Sequence, residues 1–416
     1  MKSLALHHPT GILKGTVQLP LSKSECNRLL IISALSREPF ESLQLSDAED
    51  TQILQQLLRL ADSAPDETVY DVGAAGTTMR FLAAYFAQLP GVRILTGSER
   101  MRERPVGELV HVLRKLGAQI EYTENEGYPP LRITGKRLSG GEVEMDGNIS
   151  SQFITAMLLI GPSLHNGLVI RFRTEVVSVP YVNMTIRLME RFGASPIWHD
   201  DVLSVSPSKY SNEGAGHNVE PDWSAAAPWF SMAALSKEAD ILLSGLHSNS
   251  LQGDRMLADL APFWGLSATF EEDGLRLRKA GNTPLNFAFD FGDCPDVVQS
   301  AAVISAALRI PTLFNGLETL RIKETDRIAA LQTELGKLNM RTEATDNSLH
   351  LIETQPLPAS AKIDTYHDHR MAMAFAPLAL RMSGLQINDP DVVRKSYPGF
   401  WDQMKNLGFV MKESGN

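Results

Sequence analysis

Residues 321–331 read RIKETDRIAAL, and five of the first seven carry charge: Arg321, Lys323, Glu324, Asp326 and Arg327. Cations grouped in this way can hold an anion. A carboxylate among them can move a proton if burial and neighbours tune its pKa. Taken alone, the cluster reads more simply as a solvated helix start, because Ile328, Leu331, Leu335 and Leu338 form an apolar stripe that predicts a helix from near Thr325. Five other helix heads change that reading. LSKSECNR brings Lys23, Ser24, Asn27 and Arg28, and GAAGTTMR brings Gly73, Gly76, Thr77 and Arg80. NISSQ brings Ser150, Ser151 and Gln152, DCPD brings Pro295 for a first helical turn, and YHDHR brings His369 and Arg370. Each stands just ahead of an apolar helical stretch. Helix starts carry unpaired N–H groups and partial positive charge, so Ser, Thr and Asp there can be simple caps. Lys23, Arg28, Arg80 and Arg370 are not explained in that way, because a cation opposes the helix dipole. Their recurrence in one chain points to a shared anion-binding centre.

Further basic residues stand in RMRERPVG (Arg100, Arg102, Arg104) and VVRKSYPG (Arg394, Lys395). Singly, each reads as a solvated surface charge. GxxxxGK[ST] and GxGxxG are absent, so neither an ATP P-loop nor a dinucleotide fingerprint is expected. The HDH at 367–369 does not predict a metal site, because adjacent helical residues do not face each other and no third ligand follows at helical spacing. Cys26 and Cys294 lack CxxC spacing and read as buried, inert thiols without a disulfide framework or zinc.

These residues need elements to position them. HVLRKLGAQIEY, IRLMERFGASPIW, LADLAPFWGLSATF and FWDQMKNLGFVM are amphipathic stretches ending at Gly117, Gly193, Gly265 and Gly408, each followed by a short strand. LQTELGKLNMRTEA offers Asn339 at the same place, the second choice for a left-handed C-cap. ILQQLLRLADSAP looks like a degenerate first copy around Ala61. The marks recur at roughly 70-residue intervals, the signature of a repeated supersecondary unit. A second series interleaves with them: RLLIISAL, MRFLAAYFAQL, FITAMLLIGPSL, APWFSMAALS, VVQSAAVISAAL and MAMAFAPLAL. Helices apolar on nearly every face belong in a core. Six units, split into two groups of three, predict two similar α/β domains with a boundary near residues 210–225.

The chain has 416 residues, 43% hydrophobic and 21% charged, which suits a globular protein of two or more domains. A net charge of -10 argues against nucleic acid and requires any anion site to be built from local cations. No secretory h-region and no uncharged apolar run of membrane-spanning length is evident, so a cytoplasmic location without membrane contact is expected.

In their order along the whole chain, SKSECNR, AGTTMR, RMRERPVG, YPPL, SSQFITA, SVPYVNMT, NSLQGD, KETDR, HDHRMAMA and RKSYPGF resemble the motifs of the 5-enolpyruvylshikimate 3-phosphate synthases, among the enolpyruvyl transferases. The resemblance implies an α/β fold of two similar domains, each of three βαβαββ units around buried parallel helices, an inside-out α/β barrel. It implies a discontinuous domain I, 1–21 and 222–416, a domain II of 22–221, and an active site in the cleft between them. The implied reaction moves the carboxyvinyl group of phosphoenolpyruvate to the 5-hydroxyl of shikimate 3-phosphate and releases phosphate. A monomer without metal or organic cofactor is expected. By motif, the shikimate 3-phosphate ligands are Lys23, Ser24, Arg28, Ser150, Ser151, Gln152, Ser178, Tyr181, Asp296 and Lys323. The phosphoenolpyruvate ligands are Lys23, Gly76, Arg104, Gln152, Arg327, Arg370 and Lys395. Arginine suits both substrates because its fork matches carboxylate and phosphate oxygens. Asp296, Glu324 and Lys23 are the proton-transfer candidates. Arg321 and Asp326 keep the simpler roles of support charge and first-turn carboxylate.

Two positions depart from the family pattern. Ala74 and Thr319 stand where many members carry Asn, which predicts altered affinity without loss of activity. Gly76 matches the glycine that lies close to phosphoenolpyruvate and to the herbicide glyphosate. The sister UDP-N-acetylglucosamine enolpyruvyl transferases carry a reactive cysteine in a flexible loop of the first domain, which neither Cys26 nor Cys294 matches. A non-catalytic binder of phosphorylated metabolites would not need carboxylates among its cations.

Overall fold

A computed structural model describes residues 2–36, 40, 44–212, 216–281, 284 and 286–414. The chain divides into two compact units, Met1–Ser22 with Glu220–Asn416, and Lys23–Val219. The 210–225 window marked for the boundary includes residues 213–215, which lie outside the described ones.

The first unit is one topology repeated three times. Strand Ile12–Val17 runs parallel to Glu238–Ser244, which pairs antiparallel with Gly274–Lys279, and Leu266–Glu271 forms the edge. Phe287–Asp290, Thr312–Asn315, Leu349–Thr354 and Met340–Ala344 repeat that order, as do Ser360–Ile363, Gly384–Asn388, Ser3–His7 and Val410–Ser414. In the last sheet the N-terminal strand Ser3–His7 fills the place that a hairpin strand fills in the others, so the two ends of the chain complete one copy. Between the first two strands of each copy lies a helix buried on nearly every face: Trp223–Leu235, Val298–Leu308 and His369–Phe375. Their all-round apolar sequences require that placement.

The second unit holds two sheets of the same order. They are Thr68–Asp71, Gly91–Thr96, Leu131–Gly135 and Gln119–Tyr122, and Gly141–Met145, Leu168–Phe172, Val202–Val205 and Pro196–His199. Gly76–Gln88 and Ser151–Ile160 are their buried helices. The buried Lys23–Leu35 and amphipathic Glu49–Ala61 are the helices of a further copy. This whole unit is inserted between strand Ile12–Val17 and its helix Trp223–Leu235. The two connections pair where they meet, with Ser22 N donating to Glu220 O at 2.8 Å and Asp222 N to Pro20 O at 2.8 Å.

The expected left-handed helix ends are present. Gly117, Gly193, Gly265, Gly408 and Asn339 all have φ between +63° and +98°. The degenerate copy differs: Asp62, after Ala61, is right-handed at φ -71°. At Asn339 a side chain is tolerated at φ +63° because asparagine is the non-glycine residue best suited to this region. Its Nδ2 also donates to Pro356 O at 3.3 Å. Asn339→Ala is therefore expected to cost about 1 kcal/mol and Asn339→Gly close to nothing. Urea midpoints of the two variants check this, and equal midpoints would remove the conformational explanation.

Candidate active site

The polar residues read as helix heads lie one step further along than expected. In the second unit Lys23 and Ser24 open helix Lys23–Leu35, and Gly76 opens Gly76–Gln88, so they belong to first turns and not to the preceding loops. Lys23 Nζ pairs with Asp50 Oδ2 at 2.9 Å. Arg28, one turn on, is buried and bonded on three sides. Its Nη1 donates to Ser24 O at 2.7 Å, its Nε to Thr185 Oγ1 at 2.8 Å and its Nη2 to Tyr181 O at 3.0 Å. Burial pushes its pKa down to about 10, against the support of Tyr181 and Glu25. This guanidinium joins the first turn to helix Val179–Arg191.

Gly76 and Arg104 are brought together closely. A Cβ on Gly76 would sit 2.7 Å from both terminal nitrogens of Arg104, so only glycine leaves the guanidinium where it is. Arg80 braces the same corner by donating to Gly76 O at 3.2 Å and Pro105 O at 3.0 Å. Ser150 caps helix Ser151–Ile160, its Oγ accepting from Gln152 N at 3.4 Å, and Gln152 Nε2 reaches Thr77 Oγ1 at 3.4 Å. Ser178 precedes helix Val179–Arg191 in the left-handed region, φ 55°, which is strained for a serine and is stored where the surroundings over-determine it.

In the first unit the residues meet around Arg327. The expected helix start near Thr325 is corrected: the helix runs Arg327–Lys337, capped by Asp326, whose Oδ1 accepts from Ala329 N at 3.0 Å. The cap ends the non-helical path one residue before Arg327 and leaves Lys323 and Glu324 outside the helix. Arg321 pairs with Asp326 at 2.9 Å, the support role expected of Arg321, while Asp326 is the cap and stands one residue before the first turn expected for it. Arg327, with 2% of its side chain exposed, donates to three carboxylates. Its Nε goes to Asp368 Oδ2 at 2.7 Å, Nη2 to Glu324 Oε2 at 2.9 Å and Nη1 to Asp296 Oδ1 at 3.2 Å. Arg370 Nη2 donates to Asp296 Oδ2 at 2.8 Å, Lys395 Nζ to Glu324 Oε1 at 2.7 Å, and Lys323 Nζ lies 3.9 Å from Asp296 Oδ1. Burial disfavours the Asp296 charge, but Arg370, Lys323 and Arg327 outweigh it and hold the carboxyl well below the usual carboxylate range. Asp368, Glu324 and Asp296 push the Arg327 pKa up against burial.

Three carboxylates of these networks escaped the sequence reading: Asp50, Asp254 and Asp368. Asp368 stands inside YHDHR, where its Oδ1 caps its helix by accepting from Arg370 N at 2.8 Å. Asp254 ends NSLQGD, is buried, and accepts from Ser224 Oγ. Burial and the Asp296 charge push its carboxyl up to about 7, with Arg370 and Ser224 pulling the other way. The HDH triplet diverges: His367 is exposed beside Asp389 and His369 is buried. Among the described residues no three His, Cys, Asp or Glu form a metal-holding group. Cys26 and Cys294 are buried, and burial with the neighbouring carboxylates pushes the Cys294 thiol up, away from reactivity.

The arrangement is a set of cations and carboxylates on helix starts, suited to anionic substrates and proton transfer. The family model described as EPSP synthase (3-phosphoshikimate 1-carboxyvinyltransferase) matches residues 8–404. The chain belongs to this family. A relative from Bacteroides fragilis, named 3-phosphoshikimate 1-carboxyvinyltransferase, is 47% identical, covering 96% of this chain and 97% of its own. One of the same name from Vibrio cholerae serotype O1 is 36% identical, covering 98% and 100%. In fold the chain is similar to the solved EPSP synthase of Acinetobacter baumannii, with a TM-score of 0.77, 22% identity and full coverage of both chains. The enolpyruvyl transferase NikO of Streptomyces tendae follows at 0.73, with 16% identity and 99% coverage of each.

Asp254 makes stability depend on pH. A carboxyl whose folded pKa is raised contributes nothing adverse while protonated in both states, and its cost appears as pH rises from the unfolded value to the folded one. Against wild type, Asp254→Asn should therefore gain melting temperature from pH 4 to about 7, after which the gap stays constant. Each tenfold in proton affinity is ~1.4 kcal/mol, so the gap amounts to a few kcal/mol. Thermal melts of both proteins across this range check it, and a gap independent of pH would refute the raised pKa.

Proposed function

We infer that this protein transfers the carboxyvinyl group of phosphoenolpyruvate to the 5-hydroxyl of shikimate 3-phosphate and releases phosphate, a step of aromatic amino-acid biosynthesis. The observation that carries this is membership along nearly the whole chain, joined to an intact network of Arg327, Arg370, Lys323 and Lys395 around Asp296 and Glu324. Both substrates are polyanions, and the chain holds its cations ready on its own carboxylates.

The chemistry needs paired proton transfers. The 5-hydroxyl loses its proton as its oxygen bonds to C2 of phosphoenolpyruvate, and C3 gains one, giving a tetrahedral intermediate. C3 then returns a proton as the C2–O bond to phosphate breaks. We assign these transfers to Asp296, Glu324 and Lys23, and the charge on the departing phosphate to the surrounding cations. Asp296 in the ligand-free protein is a weak base, because three cations stabilise its charge. Substrate anions that draw Arg370, Arg327 and Lys323 toward themselves return basicity to it. Arg28, committed to Ser24 and Tyr181 backbone oxygens, acts by holding those two shikimate 3-phosphate ligands in place. With Arg28 itself, Lys23, Ser150, Ser151, Gln152, Ser178, Asp296 and Lys323 complete that set, while Lys23, Gly76, Arg104, Gln152, Arg327, Arg370 and Lys395 take phosphoenolpyruvate. We further propose a cytoplasmic monomer.

Phosphate release from phosphoenolpyruvate should require shikimate 3-phosphate. Release with UDP-N-acetylglucosamine would move the protein to the sister family, and release with neither would leave a binder. Glu324→Gln should bind both substrates yet turn over about 10²–10⁴ times more slowly. Turnover near wild type would remove Glu324 from the mechanism. Glyphosate should compete with phosphoenolpyruvate, and Gly76→Ala, which displaces Arg104, should raise both its inhibition constant and KM for phosphoenolpyruvate. A Gly76→Ala enzyme with both constants unchanged would dissociate that glycine from the site.

A further inference from the structure

Glu25 lies in the first turn of helix Lys23–Leu35, between Ser24 and Arg28, and its side chain is completely buried. No step of the chemistry uses it. A buried carboxylate persists only with partners. Its Oε1 contacts His217 Nε2, and Nδ1 of the same imidazole contacts Arg191 Nη1. A guanidinium has donors and no acceptor. His217 Nδ1 therefore accepts from Arg191, and its Nε2–H donates to Glu25. The result is a directed chain of hydrogen bonds, Arg191 to His217 to Glu25.

These three side chains belong to separate pieces of the second unit. Arg191 ends helix Val179–Arg191, whose other end provides Ser178 and Tyr181. His217 lies on the segment that leaves the unit at Val219, and Glu25 on the helix that enters it at Lys23. Glu25 and His217 each sit two residues inside a chain crossing. Glu25 is also one helical turn from Arg28, a buried cation whose hydrogen bonds go to hydroxyl and carbonyl oxygens. Its negative charge supports the Arg28 proton against burial.

We propose that Glu25 is a positioning residue for shikimate 3-phosphate: through His217 and Arg191 it fastens the outgoing chain to the helix that carries the ligand Arg28, and it supplies the counter-charge that keeps Arg28 in place. This rests on the assignment of that helix start to shikimate 3-phosphate. Because the pair touches no reacting atom, loosening it weakens binding and leaves the chemical step alone, which raises KM without lowering kcat.

The test uses the full-length enzyme and four variants. Wild type is assayed first with both substrates; without phosphate release the functional assignment fails and this proposal falls with it. In an active background, His217→Leu and Glu25→Leu should raise KM for shikimate 3-phosphate about tenfold, the size of one lost hydrogen bond to a charged group, with kcat within about twofold. His217→Gln should restore KM, since one amide offers an oxygen to Arg191 and an N–H to Glu25. The double Leu variant should be no worse than the poorer single, as expected of two residues acting as one unit. If Glu25→Leu fails to fold, the His217→Leu and His217→Gln pair decides alone. Unchanged KM in His217→Leu, a kcat loss matching the KM rise, or no rescue by glutamine would each overturn the proposal.

Discussion

A guanidinium with 2% of its side chain exposed is the interaction on which the first unit's site depends. Taking an isolated charge out of water is prohibitive, and breaking one buried pair typically costs about 3–5 kcal/mol because the partner is left uncompensated. Arg327 answers this with three carboxylates from three places in the chain: Glu324 just ahead of its helix, Asp296 before helix Val298–Leu308, and Asp368 capping helix His369–Phe375. Each bond fixes one helix start against the next. The side chain therefore sets the geometry of the cluster and carries part of its charge. In this cluster the cations gathered for anionic ligands are balanced by local carboxylates, and Asp296 and Glu324 fill that place.

The repeats explain why such a centre arises more than once. A βαβαββ copy places its buried helix between two parallel strands, and copies stacked side by side bring those helix starts together. Hydrogen bonds across neighbouring starts confirm the meeting within each unit: Gln152 to Thr77 in the second, and Arg370 to Asp296 in the first. The chemistry of the two clusters differs. In the second unit Arg28 and Arg80 are fastened to backbone oxygens and hydroxyls, Lys23 is paired with Asp50, and Gly76 and Arg104 are fitted by shape. In the first unit cations meet ionised carboxylates.

Much of this was legible in the sequence wherever one element carried its own signal. All-round apolar stretches became buried helices, and Gly117, Gly193, Gly265, Gly408 and Asn339 took left-handed helix ends. Motif order carried the family, and six residues it marked in the first unit meet in one network. Local competition explains the misses. Asp326 captures Ala329 N and stops the helix at Arg327, so the apolar stripe misjudged the start by two residues. Asp50, Asp254 and Asp368 lack periodic signals, and their partners are defined by tertiary contact. The Glu25–His217 pair spans almost the whole second unit, and a glutamate inside SKSECNR reads locally as a first-turn acid favoured by the dipole.

The low proton affinity of Asp296 constrains the order of events. Its charge is held by Arg370, Lys323 and Arg327, of which two are assigned to phosphoenolpyruvate and one to shikimate 3-phosphate. One substrate alone draws away part of that stabilisation and leaves the rest. Under the proposed assignment, full basicity then returns only with both anions present, when the hydroxyl to be deprotonated and the carbon to be attacked are both in place. A free carboxylate of ordinary pKa would lack this dependence, because its protonation would not report occupancy. In the proposed assignment, surrounding Asp296 with cations that bind the substrates thus couples proton transfer to binding without any additional element.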